Sequence, residues 1–473
     1  MDQAMNKISI ILLIILSTFY SCKTAIVDDA TRPNILFFLI DDQRNDVLSC
    51  AGHSIVETPV IDGLAERGVM FTRAYVTTSI CAASRASILT GLYECKHNYT
   101  FGKPPLQMGF LEESYPLLLR KAGYNTGFIG KLGVNLEKQD SILSEMFDYC
   151  SLSPSSVPYI KTYEDESTRH SAEIKGEKAI EYIQNQSPDK PFCLSVSFNA
   201  VHAVDGNLKP GLEGHYPYSK SVANLYENVS MPAPVLSDPG IYENHPDFLK
   251  TSMNRERYFW RWDTDEKYQV NMKAYLRMIS TCDKVIGEVI DALAEAGLAD
   301  NTIIIYSADN GYYMGDRGFA GKWTHYEESL RVPMIIADPR SEDGSRGKTS
   351  DDMVLNIDIP ATILEFAGVP VPSGYQGKSF VKLISGKNAD DWRKSFLIEH
   401  RMEHYMIPKY VGIHGERYVY ATYYEQQPPY EFLHDLLMDP DQLMNLVNDS
   451  EYYSLLQQHR NKSLSLEESL TKK

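Results

Sequence analysis

Cysteine is scarce, with seven in 473 residues. Cys22 and Cys81 stand apart by context. The other five, Cys50, Cys95, Cys150, Cys193 and Cys282, are widely spaced and odd in number, and no C-x-x-C pair occurs. That excludes a disulfide scaffold and a zinc ribbon, and leaves room for one disulfide that spacing does not name. Basic excess is also missing. Lys and Arg total 46 against 63 Asp and Glu, for a net charge of -17, and no stretch forms a basic face. A nucleic-acid binder is therefore excluded, and an anionic substrate must be drawn by a local positive pocket. Internal repeats and low-complexity segments are absent as well.

Long hydrophobic runs are lacking too. The run from Ile8 to Leu16, after Lys7, is too short to span a bilayer and has the shape of a secretory h-region. It ends in Phe19-Tyr20-Ser21-Cys22, which resembles a bacterial lipoprotein cleavage site with bulkier residues than usual. Residues 1–22 are thus expected to be a signal peptide with a lipobox. The protein is expected to be exported to the periplasm or outer-membrane surface, with lipid on Cys22 as its membrane attachment. Plain signal cleavage nearby is the alternative.

What is present is an ordinary globular composition, 43% hydrophobic and 23% charged, long enough for two domains. The run Pro33 to Ile40 reads as a strand buried on both faces, the mark of a parallel sheet. It ends in Asp41-Asp42, at the sheet edge where α/β folds bind ligands. Adjacent acids repel, so seating both there calls for a cation; a solvated Asp-Asp turn is the plain alternative. Thr302 to Tyr306 is a similar strand, ending in Ser307-Ala308-Asp309-Asn310-Gly311. Tyr124 to Lys131 and Phe192 to Phe198 place Lys131 and His202 at further strand ends, although a lone histidine after a strand is more often a satisfied core residue. Val332 to Ala337 is another strand.

Helices are expected at Thr58–Gly68, Tyr115–Ala122, Tyr275–Ala296 and Ile357–Phe366, from caps and period. Asp205 to Asp265 has no clear period and reads as a long surface excursion. After residue 388 the pattern changes: Ser395–Glu399, Tyr410–His414 and Arg417–Tyr423 alternate like antiparallel strands. The expected architecture is α/β, a large mostly parallel or mixed central sheet flanked by helices over 31–388. A smaller C-terminal α+β unit with an antiparallel sheet covers 389–473.

Cys81 opens the short helix Cys81 to Thr90, stopped by Gly91. A helix start gathers anions, and Arg85 one turn later adds a fork for tetrahedral oxyanions. A small buried thiol is the plain alternative.

Seven blocks in order resemble the type I sulfatases of the alkaline phosphatase-like superfamily: Pro33–Asp42, Thr58–Tyr75, Cys81–Gly91, Gly123–Lys131, Ser197–His202, Ser307–Gly311 and Gly321–Ile335. The likeness runs from about Arg32 to Asp449. It implies that a maturation enzyme oxidises Cys81 to formylglycine. One hydroxyl of the aldehyde hydrate attacks sulfur, and the other collapses to expel sulfate. It further implies that Asp41, Asp42, Asp309 and Asn310 bind Ca²⁺, that Arg85 holds the nucleophile, and that Lys131 and Lys322 grip sulfate. His202 would protonate the leaving alcohol. The expected reaction is hydrolysis of a sulfate ester on a sulfated carbohydrate, a glycosaminoglycan or other polysaccharide. The 31 tyrosines suit stacking on sugar rings. A phosphodiesterase or phosphonate hydrolase on the same scaffold, and a glycan-binding protein with weakened catalysis, are the alternatives.

Three departures from the family pattern stand out. Ala83 replaces the usual Pro of the maturation motif. Gly130-Lys131-Leu132-Gly133 replaces Gly-Lys-Trp-His-Leu-Gly, so the histidine beside the nucleophile is missing, and His325 or His97 is expected to stand in. Arg317 occupies a glycine-loop position that is often His. His400 and Arg401 are expected to reach substrate from the C-terminal unit.

Overall fold

The computed structural model describes residues 32–472 apart from 102, 155–157, 206–213, 342–345 and 387–390. The leader, Cys22 and any lipid on it lie outside the described residues. Among those described, no helix is long and apolar enough to cross a membrane.

The α/β architecture expected from the sequence is present. Eight strands form the central sheet: β1 (Asn34–Ile40), β2 (Val69–Phe71), β3 (Asn125–Lys131), β4 (Tyr149–Ser153), β5 (Phe192–Ser197), β6 (Thr302–Ala308), β7 (Met334–Ala337) and β8 (Lys348–Ser350). Their order is β8-β2-β7-β6-β1-β5-β3-β4. All run one way except β7, which is antiparallel to both β6 and β2. The central strands β1, β5 and β6 are buried along their whole length, which is why they read as unbroken apolar runs.

Helices pack in two groups. Among them α1 (Pro59–Arg67) and α4 (Ser171–Gln184) lie against the long α6 (Asp265–Glu295), while α2 (Cys81–Thr90) and α3 (Tyr115–Lys121) meet α7 (Asp358–Phe366). Helix α6 begins ten residues before the expected Tyr275. Its first turns are polar, but Thr264 caps it by accepting from Lys267 N, and Asp265 and Glu266 sit in the first turn. The stretch read as an aperiodic excursion also contains α5 (Met253–Arg261), whose strongly polar composition hid it.

A separate antiparallel sheet follows: β9 (Ser395–His400), β10 (Tyr410–Gly415), β11 (Tyr418–Tyr423) and β12 (Tyr430–Asp435), packed against α8 (Tyr453–Thr471). Its first strand pairs with the segment that leads into α2. Glu399 N donates to Thr77 O at 2.9 Å, and Thr78 bridges Glu399 in parallel register. Thr78 Oγ1 in turn donates to Glu94 Oε2 at 2.7 Å. The described cysteines, Cys50, Cys81, Cys95, Cys150, Cys193 and Cys282, are all free.

Candidate active site

Four strand ends and one helix start converge at the C-terminal edge of the sheet. Asp41 and Asp42 follow β1, Lys131 ends β3, His202 follows β5, and Asp309 and Asn310 follow β6. Backbone bonds extend the ladder past the strands. Asp309 N donates to Ile40 O and Asp41 N to Ala200 O, each at 3.0 Å, and Val201 N donates to Asp41 O at 2.7 Å. The carboxylates are therefore fixed by main chain. Asp42 adopts the left-handed region (φ 57°), which Asp tolerates better than most residues, and its N–H donates to Asp309 Oδ1.

Three cations face three carboxylates here, all buried. Lys131 pairs with Asp41 and Lys322 with Asp42. Arg85 Nε donates to Asp309 Oδ2 at 2.7 Å, and its Nη2 lies 3.6 Å from Asp41. Burial alone would raise the pKa of Asp41, but Lys131, with His202, Arg85 and Lys322, outweighs it and holds the carboxyl well below the usual range. Burial, with the neighbouring Asp41 charge, raises Asp309. The carboxylates overcome the burial penalty on Lys131, Lys322 and Arg85 and push all three upward, so these groups stay charged.

Three oxygens in this cluster have no hydrogen-bond partner: Asp41 Oδ1, Asp42 Oδ2 and Asn310 Oδ1. Buried acceptors are normally satisfied, so these orphans mark a place for a further cation. Asp41, Asp309 and Cys81 each offer a ligand atom within 4.8 Å of the other two, as do Asp41, Asp42 and His202. Hard oxygen donors from two strand ends fit Ca²⁺.

Cys81 is the first residue of α2 and is 6% exposed. Ala83, the position where the sequence departs from its resemblance, packs with Ile80, Trp323 and Ile407. Arg85 Nη1 also donates to Lys131 O at 2.6 Å and to Ser197 Oγ at 2.5 Å, so the start of α2 is tied to the ends of β3, β5 and β6 together. Gly133 makes room for this. A Cβ there would sit 2.6 Å from Arg85 Cδ, and its φ is 71°.

His202 Nδ1 donates to Ala203 O at 2.7 Å, which turns Nε2 towards the site, 3.6 Å from Asp42 Oδ2 and 3.8 Å from Asp205 Oδ2. Tyr159 Oη donates to Asn199 O and His202 O, both at 2.7 Å, and pins that loop.

The structure thus brings together Cys81, Arg85, Lys131, His202, Lys322, Asp41, Asp42, Asp309 and Asn310. It does not bring in the four other residues singled out. His97 is buried, meeting Ser87 Oγ through Nε2 and Tyr99 N through Nδ1, and burial pushes its pKa down to about 3. His325 lies between Tyr423 Oη (2.9 Å) and His434 Nε2 (3.2 Å), inside the contact with the C-terminal sheet. Neither replaces the missing histidine. His400 is fully buried beside the ring of Tyr410, and burial lowers it to about 3. Arg401 pairs with Glu399 and Glu467, joining β9 to α8. Arg317 is likewise structural, with its guanidinium on Glu328 and on the carbonyl of Asp441.

Sequence reasoning missed Ser197 and a charged rim. Asp205 binds Arg257 at 2.8 Å and Arg261 at 2.5 Å, and Arg257 lies 4.7 Å over the ring of Trp323, next to Lys322. The available signal was the i, i+4 spacing of the two arginines, which puts both on one helix face.

The chain belongs to the sulfatase family. The family model described as Sulfatase matches residues 33–369, and the one described as N-sulphoglucosamine sulphohydrolase, C-terminal, matches residues 315–469. It is an enzyme of that class, a sulfuric ester hydrolase. It is similar to the N-acetylglucosamine-6-O-sulfatase of Bacteroides thetaiotaomicron, with 27% identity over 94% of this chain and 88% of the relative. Among solved structures, one in complex with its substrate D-glucosamine-2-N,6-O-disulfate superposes with a TM-score of 0.79, at 24% identity, covering 93% of this chain and 98% of the other. The phosphonate monoester hydrolase of Agrobacterium radiobacter shares the fold with a TM-score of 0.77, at 23% identity over 93% and 96%.

Proposed function

We propose that this sulfatase hydrolyses a sulfate ester on a sulfated carbohydrate, using Ca²⁺ and a formylglycine made from Cys81 by a maturation enzyme. The observation that carries the reading is the set of orphaned oxygens on Asp41, Asp42 and Asn310, beside three buried cations and the start of α2. The carbohydrate assignment draws on the relative named as an N-acetylglucosamine-6-O-sulfatase and on the neighbour bound to a sulfated glucosamine. Export with a lipid on Cys22 would place the enzyme where such glycans are met.

Asp41, Asp42, Asp309 and Asn310 would hold Ca²⁺, whose charge polarises sulfate oxygens. Formylglycine at position 81 would supply an oxygen nucleophile and a second hydroxyl on the same carbon. The chain's own residues do the rest. Arg85 fixes the start of α2 against Asp309 and the β3 carbonyl. Lys131 and Lys322, charged in the buried site, donate to sulfate oxygens and neutralise charge on the transferring group. His202, with Nδ1 committed to Ala203 O, delivers a proton from Nε2 to the leaving alcohol oxygen.

The test is desulfation of defined sulfated oligosaccharides by full-length protein, with Cys81→Ala as control and with Ca²⁺ removed by chelator. Activity in the parent that is lost in both controls is expected, and a Ca²⁺-dependent rise in melting temperature should vanish in Asp42→Asn. Equal activity in Cys81→Ala would sink the mechanism. The fold shared with the phosphonate hydrolase favours a second reading, decided by paired rates on a sulfate ester and a phosphonate or phosphate diester. An unmodified Cys81 thiol in the native host, read by mass spectrometry, would instead support a glycan binder.

A further inference from the structure

A cavity of about 350 Å³ lies beside the β4 edge of the sheet, and none of its lining residues belongs to the active site. Ile129, Pro158, Ile160 and Ile174 supply apolar walls. Lys161, Lys175 and Lys178 line the same space. Lys175 is 3% exposed, and its Nζ has one bond, to Ser171 O at 3.2 Å. Lys178 donates to Ser151 Oγ at 2.7 Å, and Lys161 lies 4.6 Å over the Tyr163 ring. Among the described residues no carboxylate pairs with any of the three.

Ser171, the first residue of the 14-residue helix α4, adds its buried Oγ, which also has no partner. An ammonium out of water without a counter-ion is costly, and burial lowers Lys175 to about 8. The volume is at the lower end of the roughly 300–1,000 Å³ of small-molecule sites.

From the cavity, the unpaired lysines and the orphaned Ser171 hydroxyl, we infer a second ligand site for a small organic anion, with an apolar body against the isoleucines and one sulfonate, sulfate or carboxylate head on Lys175, Lys178 and Ser171 Oγ.

The probe is 2-naphthalenesulfonate, titrated calorimetrically into the full-length protein, with 2-naphthalenemethanol as its neutral counterpart. Lys322→Met removes a sulfate grip from the active site, Lys175→Met removes the buried charge at nearly constant volume, and Ile174→Trp fills the cavity. Binding that survives Lys322→Met, weakens at least tenfold in Lys175→Met and Ile174→Trp, and is at least tenfold weaker for the neutral counterpart supports the site. Desulfation should be unchanged in Lys175→Met. If that variant does not fold, Lys178→Met with Ile174→Trp decides. Binding equal to the parent in the cavity variants, binding lost in Lys322→Met, or equal affinity for the neutral compound would each overturn the inference.

Discussion

Replacing Arg85 by Met removes one guanidinium and four contacts: Asp309 at 2.7 Å, Lys131 O at 2.6 Å, Ser197 Oγ at 2.5 Å, and Asp41 at 3.6 Å. Lys131 O keeps the Ser197 hydroxyl as a donor at 2.8 Å, so the carbonyl is not stranded. Asp309 keeps the Asp42 N–H but loses its one ion pair among the described residues, and it already feels the Asp41 charge. Removing one partner of a buried pair costs about 3–5 kcal/mol. At roughly 2.1 cal/mol/K per residue over about 440 residues, the unfolding entropy is about 0.9 kcal/mol/K, so the melting temperature should fall by about 3–5 °C. The effect on activity should be larger. Arg85 orients the first turn of α2, and misplacing a reacting group by about 1 Å costs on the order of 10²-fold. Differential scanning calorimetry and kcat/KM on one sulfated oligosaccharide provide the two readings. Arg85→Lys should recover part of the stability, since charge is kept, and little of the rate, since the fork is lost. A variant melting within about 1 °C of the parent, with more than a tenth of its kcat/KM, would refute the reasoning.

Two further outcomes follow from the geometry. His202→Asn should lower turnover of a sugar sulfate by about 10²-fold or more but barely touch a nitrophenyl sulfate, whose leaving group needs no proton; equal losses on the two would remove His202 from that role. Burial, then the Glu399 charge, raises Glu94 to about 8, well above the roughly 4.3 of an unfolded glutamate. The folded state therefore holds a proton that the unfolded chain releases. Its stability is full below the unfolded value and is lost as pH climbs through about 8. Melting temperature should drop on the order of a few degrees between pH 5 and pH 8.5, and Glu94→Gln should flatten the slope; an unchanged slope in the variant would speak against the carboxyl pair as its source.

Much of the fold was legible because its central strands are buried on both faces, which leaves unbroken apolar runs such as Asn34–Ile40. Asp41, Asp42, Asp309 and Asn310 were visible because polar groups follow such runs directly. The reversal of β7 was not, since a short buried strand looks the same in either direction. Ser197 escaped notice as one small residue inside a strand, yet its hydroxyl joins Arg85 to the β3 carbonyl. Asp205 and Arg257 meet across 52 positions, and no local pattern encodes that. The histidines misled for the opposite reason. His97, His325 and His400 are chemically versatile on paper, but each side chain is enclosed by the fold, and burial keeps it neutral.

The backbone just upstream of Cys81 is held by the main-chain N–H of Glu399, and Cys95 N donates to the carboxylate of that residue across 304 positions of chain. During synthesis from the N-terminus, the segment that leads into Cys81 therefore waits a long time for the strand that pairs with it. Throughout that interval the thiol end of α2 lacks one wall. Any enzyme that must reach Cys81 has its opening then, before about the last sixth of the polypeptide docks.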